Sequence, residues 1–257
     1  MAELVDALAS GASVSNDVEV QVLSRAPNNE QTFSVCFLLP KHRAVSPLMK
    51  YTEMMQEEII GVGPHPEPWP TDQKYDRVLL KEGDKRNVLD KYHYWSVNAI
   101  KADLDDSRID LEIAIENLQR DYNMGTIVRA ANAFNIKRVH IIGRKQWNKR
   151  GAMVTDLYMN IQYHDDVTAF MLAMEKAGRE VIGMDIVDGA KNLSETTLPA
   201  NAVLVFGAEG PGLSKEMLSK AKDVVMIEQF GSTRSVNVGV AAGITMYAWL
   251  QQHSLTR

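Results

Sequence analysis

The chain has 257 residues and a net charge of −5, with 45% hydrophobic and 24% charged residues, a composition that supports a packed core and argues against disorder. The acidic balance excludes a protein that coats nucleic acid through bulk charge, and a single cysteine, Cys36, excludes an intramolecular disulfide and a zinc site of the usual Cys/His spacing. No apolar run approaches the roughly 20 residues of a membrane helix, and the start Met1–Asp6 lacks the basic opening of a secretory signal, so the expected location is the cytoplasm, with no membrane partner.

Phe33–Leu39, which contains Cys36, predicts a strand in which the cysteine is a small core residue. Pro47–Ile60 predicts a helix. Residues 61–72 carry prolines at alternate positions, Pro64, Pro66, Pro68 and Pro70, and predict an extended connector, because proline lacks the amide a helix needs. Residues 86–104 place Val88, Leu89, Tyr92, Trp95, Val97, Ile100 and Leu104 near helical spacing and predict a packing helix. Charge is uneven: residues 1–110 balance to −6 and residues 111–257 to +1, so an anionic partner is expected to meet local patches in the second part.

Beyond Asp110, short apolar runs alternate with helical stretches. The runs are Leu111–Ile115, Val139–Ile142, Val181–Ile186, Val203–Phe206 and Val224–Ile227. The helices are expected near 124–134, 166–177, 213–222 and 236–251. This alternation predicts an α/β fold with a mostly parallel sheet and helices on both faces. Ligands of such sheets bind at loops leaving the carboxyl ends of the strands.

Three of those loops carry polar residues. The first runs from Glu116 and Asn117 through Asn123-Met-Gly125 to Arg129 and Phe134. Asn123 is placed to cap the following helix, and Gly125 to let a ligand approach its first turn. Arg129 has apolar or small neighbours, which leaves a structural ion pair and an anionic substrate contact equally open. The second loop, Gly207-Ala-Glu209-Gly210-Pro-Gly212, follows a strand directly and suits close wrapping of a small molecule. It is neither a dinucleotide fingerprint nor a phosphate loop, because it lacks both spacings. Ser214 is placed to cap the next helix. The third loop, from Ile227-Glu228-Gln229 through Gly231, Arg234, Ser235, Val236 and Asn237, leads into a helix rich in small residues. Ser235 or Asn237 alone would suffice as a cap. A fourth feature, residues 137–150, gathers Lys137, Arg138, Arg144, Lys145, Lys149 and Arg150 around Trp147 without an acidic residue, a candidate RNA contact.

Together these loops resemble the SpoU family of the SPOUT superfamily of RNA methyltransferases. Asn117, Asn123, Gly125, Arg129, Ala131 and Phe134 match its first motif, Gly207 through Gly212 its second, and Ile227, Gly231 and Ser235–Val238 its third. The resemblance covers about residues 110–251. Two positions depart from it: Glu228-Gln229 replaces the usual Pro-Met, and Asn135 replaces a glycine. The resemblance implies a SPOUT-like C-terminal trefoil knot, S-adenosylmethionine as cofactor, a homodimer, and methyl transfer to a ribose 2′-hydroxyl of a structured RNA, tRNA or rRNA. It implies a catalytic group of Arg129, Asn117, Asn123, Glu209, Ser235 and Asn237. The implied cofactor site comprises Gly207, Glu209, Gly210, Ile227, Ser235, Val236 and Asn237, and RNA would meet Arg129, Arg144, Lys145, Lys149 and Arg150. No metal is needed. Residues 106–257 would form the methyltransferase domain and 1–105 an extension of unassigned role. A non-catalytic RNA-binding module on the same scaffold and a flavodoxin-like nucleotide enzyme are the competing classes; cofactor binding separates the first, and the missing phosphate loop speaks against the second.

Overall fold

A computed structural model describes residues 18–20, 38–40, 61–117, 123–208 and 210–255. The chain divides after Glu58. In the first unit, β1 (Val18–Val20) pairs antiparallel with β2 (Leu38–Pro40). Of the strand expected at Phe33–Leu39, Leu38 and Leu39 lie in β2, and the remainder, with Cys36, lies outside the described residues. The helix expected at Pro47–Ile60 lies outside the described residues.

The second unit opens with the proline-rich stretch, which is extended as expected. It is tied to the following segment by Val62–Asp84 backbone pairing and by the His65 amide donating to the Leu80 carbonyl (2.9 Å). Helix α1 (Arg77–Glu82) is capped by the Asp76 carboxylate. The helix expected over 86–104 is shorter. Asp90–Tyr92 form a single 3₁₀ turn, Tyr94 takes φ 65°, and α2 (Val97–Asp105) begins only where the Ser96 side chain accepts from the Ala99 amide. A left-handed residue breaks the helical hydrogen-bond ladder that the apolar spacing suggests. Fully buried Asp84 holds this region together, accepting from Arg86 Nε (2.8 Å), Arg86 Nη2 (2.7 Å) and the Tyr94 amide (2.9 Å). Burial opposes its ionisation, but the Arg86 hydrogen bonds and charge outweigh that and hold its pKa at about 2. Tyr92 and Ile100 pack against Tyr158. Ile59–Arg257 accordingly form one compact unit that includes residues 59–105.

The strands that follow are β3 (Ile109–Asn117), β4 (Ile136–Gly143), β5 (Ile161–His164), β6 (Glu180–Met184), β7 (Lys191–Asn192), β8 (Ala202–Phe206) and β9 (Asp223–Met226). The helices are α3 (Met124–Ala133), α4 (Val167–Lys176), α5 (Lys215–Lys220) and α6 (Val238–His253). The sheet order is β5-β4-β3-β8-β6-β9-β7, and every neighbouring pair is parallel. Alternation along β3 and β8 explains the layering. Leu111, Ile113, Ile115, Leu204 and Phe206 face a core shared with α3 and α6, while Ala114, Val203 and Val205 face Phe170 and Met174 of α4 and Met217 of α5. Strands buried on both faces read as continuous apolar runs, which is why they are visible in the sequence. The short polar strands β5 and β7 are not. Asn135 takes φ 50° after α3, as its tolerance of the left-handed position allows, and donates to the Leu104 carbonyl (3.3 Å).

One polar chain crosses the α4 face of the sheet. Arg179 bonds Glu112 Oε1 (3.0 Å), Glu112 Oε2 meets His140 Nε2 (2.7 Å), and His140 Nδ1 meets His164 Nε2 (2.9 Å). Burial, then the neighbouring His140 charge, hold the His164 pKa down at about 4. Burial pushes the Glu112 carboxyl up, but the His140 hydrogen bond and Arg179 charge leave it below its ordinary value.

Candidate active site

A cavity of about 270 Å³ lies at the carboxyl ends of β6, β8 and β9, where a parallel sheet leaves its loops open to a ligand. Its wall comes from Met184 to Ile186, from Phe206 to Ala208 with Gly210 and Gly212, from Val225 to Ile227 with Gln229, and from Arg234 to Val236 with Val238 and Ala241. Gly207, Gly210, Ile227, Ser235 and Val236, assigned to a cofactor from the sequence, all contribute to that wall.

The glycine loop owes its shape to missing side chains. A Cβ on Gly207 would overlap the backbone of Gly212, because the loop closes on itself through the Gly212 amide and the Ala208 carbonyl (3.0 Å). Gly212 takes φ 70° and sits against the Asp185 carboxylate, where a side chain would collide. Asp185 Oδ2 in turn accepts from the Leu213 amide (2.7 Å) and Oδ1 from the Ile186 amide (2.7 Å). Glu116, buried at the end of β3, accepts from the Ser214 amide (2.8 Å). Sequence reasoning passes over Asp185 and Glu116. The signal was a carboxylate at the end of an apolar strand, a place where burial demands backbone donors. Ser214 caps α5 as expected, accepting from the Met217 amide. Glu209 lies outside the described residues, and Asn117 is described only as the last residue of β3, paired in register with Gly143.

The first and third loops meet through two carboxamides: Asn237 Nδ2 donates to Asn123 Oδ1 (2.9 Å). Asn237 also caps α6, with its oxygen accepting from the Gly239 amide (2.9 Å) and the Val240 amide (3.3 Å). One residue thus starts the last helix and holds the start of α3. Asn123 stands at the N-cap position of α3 but its side chain makes no cap hydrogen bond, since it is committed to Asn237. Gly125 also differs from expectation. Its missing Cβ leaves room for the chain at Gly151 and Ala152, whose backbone atoms would lie 2.6–2.8 Å from a side chain there, so protein rather than ligand fills that approach. Gly239 likewise lets α6 cross against Thr126 of α3.

Arg129 lies on the exposed face of α3, opposite buried Ile127, Val128 and Ala131. Among the described residues it has no ion pair and no hydrogen bond, which removes the structural ion-pair reading. Ser235 is exposed beside the cavity. The basic stretch is less one-sided in space than in sequence. Lys145 pairs with Asp165 (3.2 Å) and Lys149 with Asp156 (2.8 Å), both acids coming from later in the chain. The Asp156 hydrogen bond and charge raise the Lys149 pKa. Arg144 and Arg150 are exposed on the same segment.

The departure at Glu228-Gln229 has a structural counterpart. Glu228 turns away from the cavity and accepts from the Ser194 hydroxyl and amide, and the hydroxyl bond first of all holds its carboxyl below the ordinary range. Gln229 faces the cavity.

Residues 110–247 match the model of the SpoU rRNA Methylase family. A tRNA (guanosine(18)-2'-O)-methyltransferase of Escherichia coli is 22% identical over 141 residues, which are 54% of this chain and 62% of the relative. The enzyme of the same name from Thermus thermophilus is 24% identical over 146 residues, 54% of this chain and 73% of its own. The matched region therefore spans less than two thirds of the Escherichia coli protein. Among solved structures, the A. aeolicus TrmH/SpoU tRNA modifying enzyme shares the fold with a TM-score of 0.54 at 24% identity, over 61% of this chain and 81% of that one. An AdoMet-bound rRNA methyltransferase from Sinorhizobium meliloti does so with a TM-score of 0.51 at 22% identity, over 58% and 60%.

Proposed function

The chain belongs to the SpoU rRNA Methylase family, and we propose that it transfers a methyl group from S-adenosylmethionine to a ribose 2′-hydroxyl of a structured RNA, either tRNA or rRNA. The observation that carries this reading is the Asn123–Asn237 hydrogen bond, which joins the helix bearing exposed Arg129 to the loop that closes the cavity. The residues present fit the cofactor. Apolar Met184, Phe206, Ile227 and Val236 suit a purine and its ribose, and the glycine loop offers backbone groups where no side chain could be accommodated. The charged amino-acid end would suit the exposed rim near Arg234 and Ser235.

Bound S-adenosylmethionine supplies a methyl group already activated by its positive sulfur, so the chemistry demands alignment and proton removal rather than a metal. The role of Arg129 in this reading is to bind the phosphate beside the reacting ribose and stabilise charge developing on the attacking oxygen, while the 2′-hydroxyl proton leaves to a phosphate oxygen or to water. Asn237 and Asn123 hold the start of α3 and thereby the direction of Arg129; in this reading Asn117 and Ser235 help orient the ribose, and Glu209 shapes the glycine loop and helps polarise the site. Arg144, Lys145, Lys149 and Arg150 bind RNA phosphates in this reading, with Lys145 and Lys149 exchanging Asp165 and Asp156 for the phosphates.

Residues 106–257 act as the catalytic domain in this reading, and 1–105 as an accessory extension. The C-terminal segment threads a trefoil knot, and the protein works in the cytoplasm as a homodimer. The exposed stripe Val240, Ile244 and Tyr247 on α6 supports the dimer, since a soluble monomer gains nothing from an apolar helix face in water. Among the described residues no helix is long and apolar enough to cross a membrane.

The test combines calorimetry with S-adenosylmethionine and S-adenosylhomocysteine in the presence of a chelator, and mapping of 2′-O-methyl sites in RNA from cells with and without the gene. Binding together with a lost site supports the reading. A folded protein that binds neither compound refutes it, and binding of RNA alone would favour a non-catalytic module.

A further inference from the structure

Gln229, which lines the cavity, carries a buried polar atom that no described residue satisfies. Gln229 Oε1 is shielded from solvent and accepts no hydrogen bond from the described residues. The other buried unsatisfied side-chain atoms, on His93, Glu116, Asn132 and Tyr158, belong to residues that do not line this cavity. A buried carbonyl oxygen without a donor is disfavoured, so its retention calls for a partner that arrives with the ligand. Asp185, the carboxylate among the described lining residues, already accepts backbone hydrogen bonds on both oxygens. Glu228 is directed to Ser194, which fixes the segment and leaves its neighbour facing inward.

Resting on the cofactor reading above, we infer that Gln229 is a specificity-determining residue whose Oε1 accepts a hydrogen bond from the exocyclic amino group of the cofactor's adenine. The surrounding wall at Met226 and Ile227 is apolar, which suits the ring and leaves the amino group as the donor that must be matched. The amide nitrogen of the same side chain is free to donate to the adjacent ring nitrogen, as carboxamides do when they read adenine edges. The family's usual methionine at this position can offer shape only, so this chain adds a polar readout of the base.

A double-mutant cycle between ligand and protein tests the assignment. S-adenosylhomocysteine and its counterpart with an unsubstituted purine base, lacking the amino group, are titrated calorimetrically into the full wild-type chain and into Gln229→Leu and Gln229→Glu, with melting curves as folding controls. Deleting the amino group should weaken wild-type binding about tenfold, the scale of one hydrogen bond. It should weaken binding to Gln229→Leu by less than about threefold, because the acceptor is gone. Gln229→Glu keeps an acceptor and should keep the wild-type factor. Gln229→Met gives the same readout as leucine if the branched side chain prevents folding. Equal factors in wild type and the leucine or methionine variant overturn the Gln229 assignment while leaving the cofactor reading intact. Wild-type protein that binds neither compound overturns both.

Discussion

Replacing Arg129 with alanine separates chemistry from stability more cleanly than any other change in this site. The side chain is exposed on α3 and loses no ion pair or hydrogen bond among the described residues. Alanine is at least as good a helix former as arginine, so folding stability should change by no more than about 0.5 kcal/mol. For a compact unit of this size that is a shift in melting temperature of about 2 °C or less. Methyl transfer should instead fall about a hundredfold or more, equivalent to roughly 2.7 kcal/mol of transition-state stabilisation and typical of losing one preorganised donor. Arg129→Lys should recover little, because an ammonium cannot reproduce the planar guanidinium fork. Single-turnover transfer of a labelled methyl group, measured beside a melting curve and cofactor titration, gives all three quantities. Near-normal turnover in folded Arg129→Ala, or activity that merely tracks a reduced folded fraction, would refute the reasoning.

Asn237→Ala removes both the α6 cap and the bridge to Asn123, and should cost about 1–3 kcal/mol in urea denaturation; Asn237→Ser, which keeps a capping oxygen, should restore more stability than methyl transfer. His164, with a folded pKa of about 4 against an ordinary 6.5, binds fewer protons folded than unfolded at intermediate pH. Its contribution is therefore present above pH 6.5 and lost as pH falls to 4, on the order of 3 kcal/mol, and urea midpoints of His164→Gln should show a smaller acid loss than wild type. Ile244→Glu combined with Tyr247→Glu should convert the proposed homodimer to a species of 28.7 kDa by light scattering; a variant that keeps twice that mass would move the interface elsewhere.

The sequence by itself determined the alternation of strands and helices after residue 109, because strands buried on both faces must be apolar throughout and amphipathic helices must cover them. It also marked the glycine loop and the polar entry to α6, whose residue types answer local backbone demands. It overextended the helix at 86–104, since apolar spacing does not register a left-handed Tyr94. It left β5 and β7 unseen, since short partly polar strands carry no periodic signal. What each polar side chain bonds was decided only by the tertiary structure. Asn123 left its own helix for Asn237, 114 positions along the chain. Gly125 made room for Gly151 and Ala152 rather than a ligand. Lys145 and Lys149 acquired acidic partners from beyond their own segment. Hydrogen bonds and ion pairs act over a few ångströms in space, and which distant residues come within that range depends on how the parallel strands are ordered in the sheet, an order that no local pattern encodes.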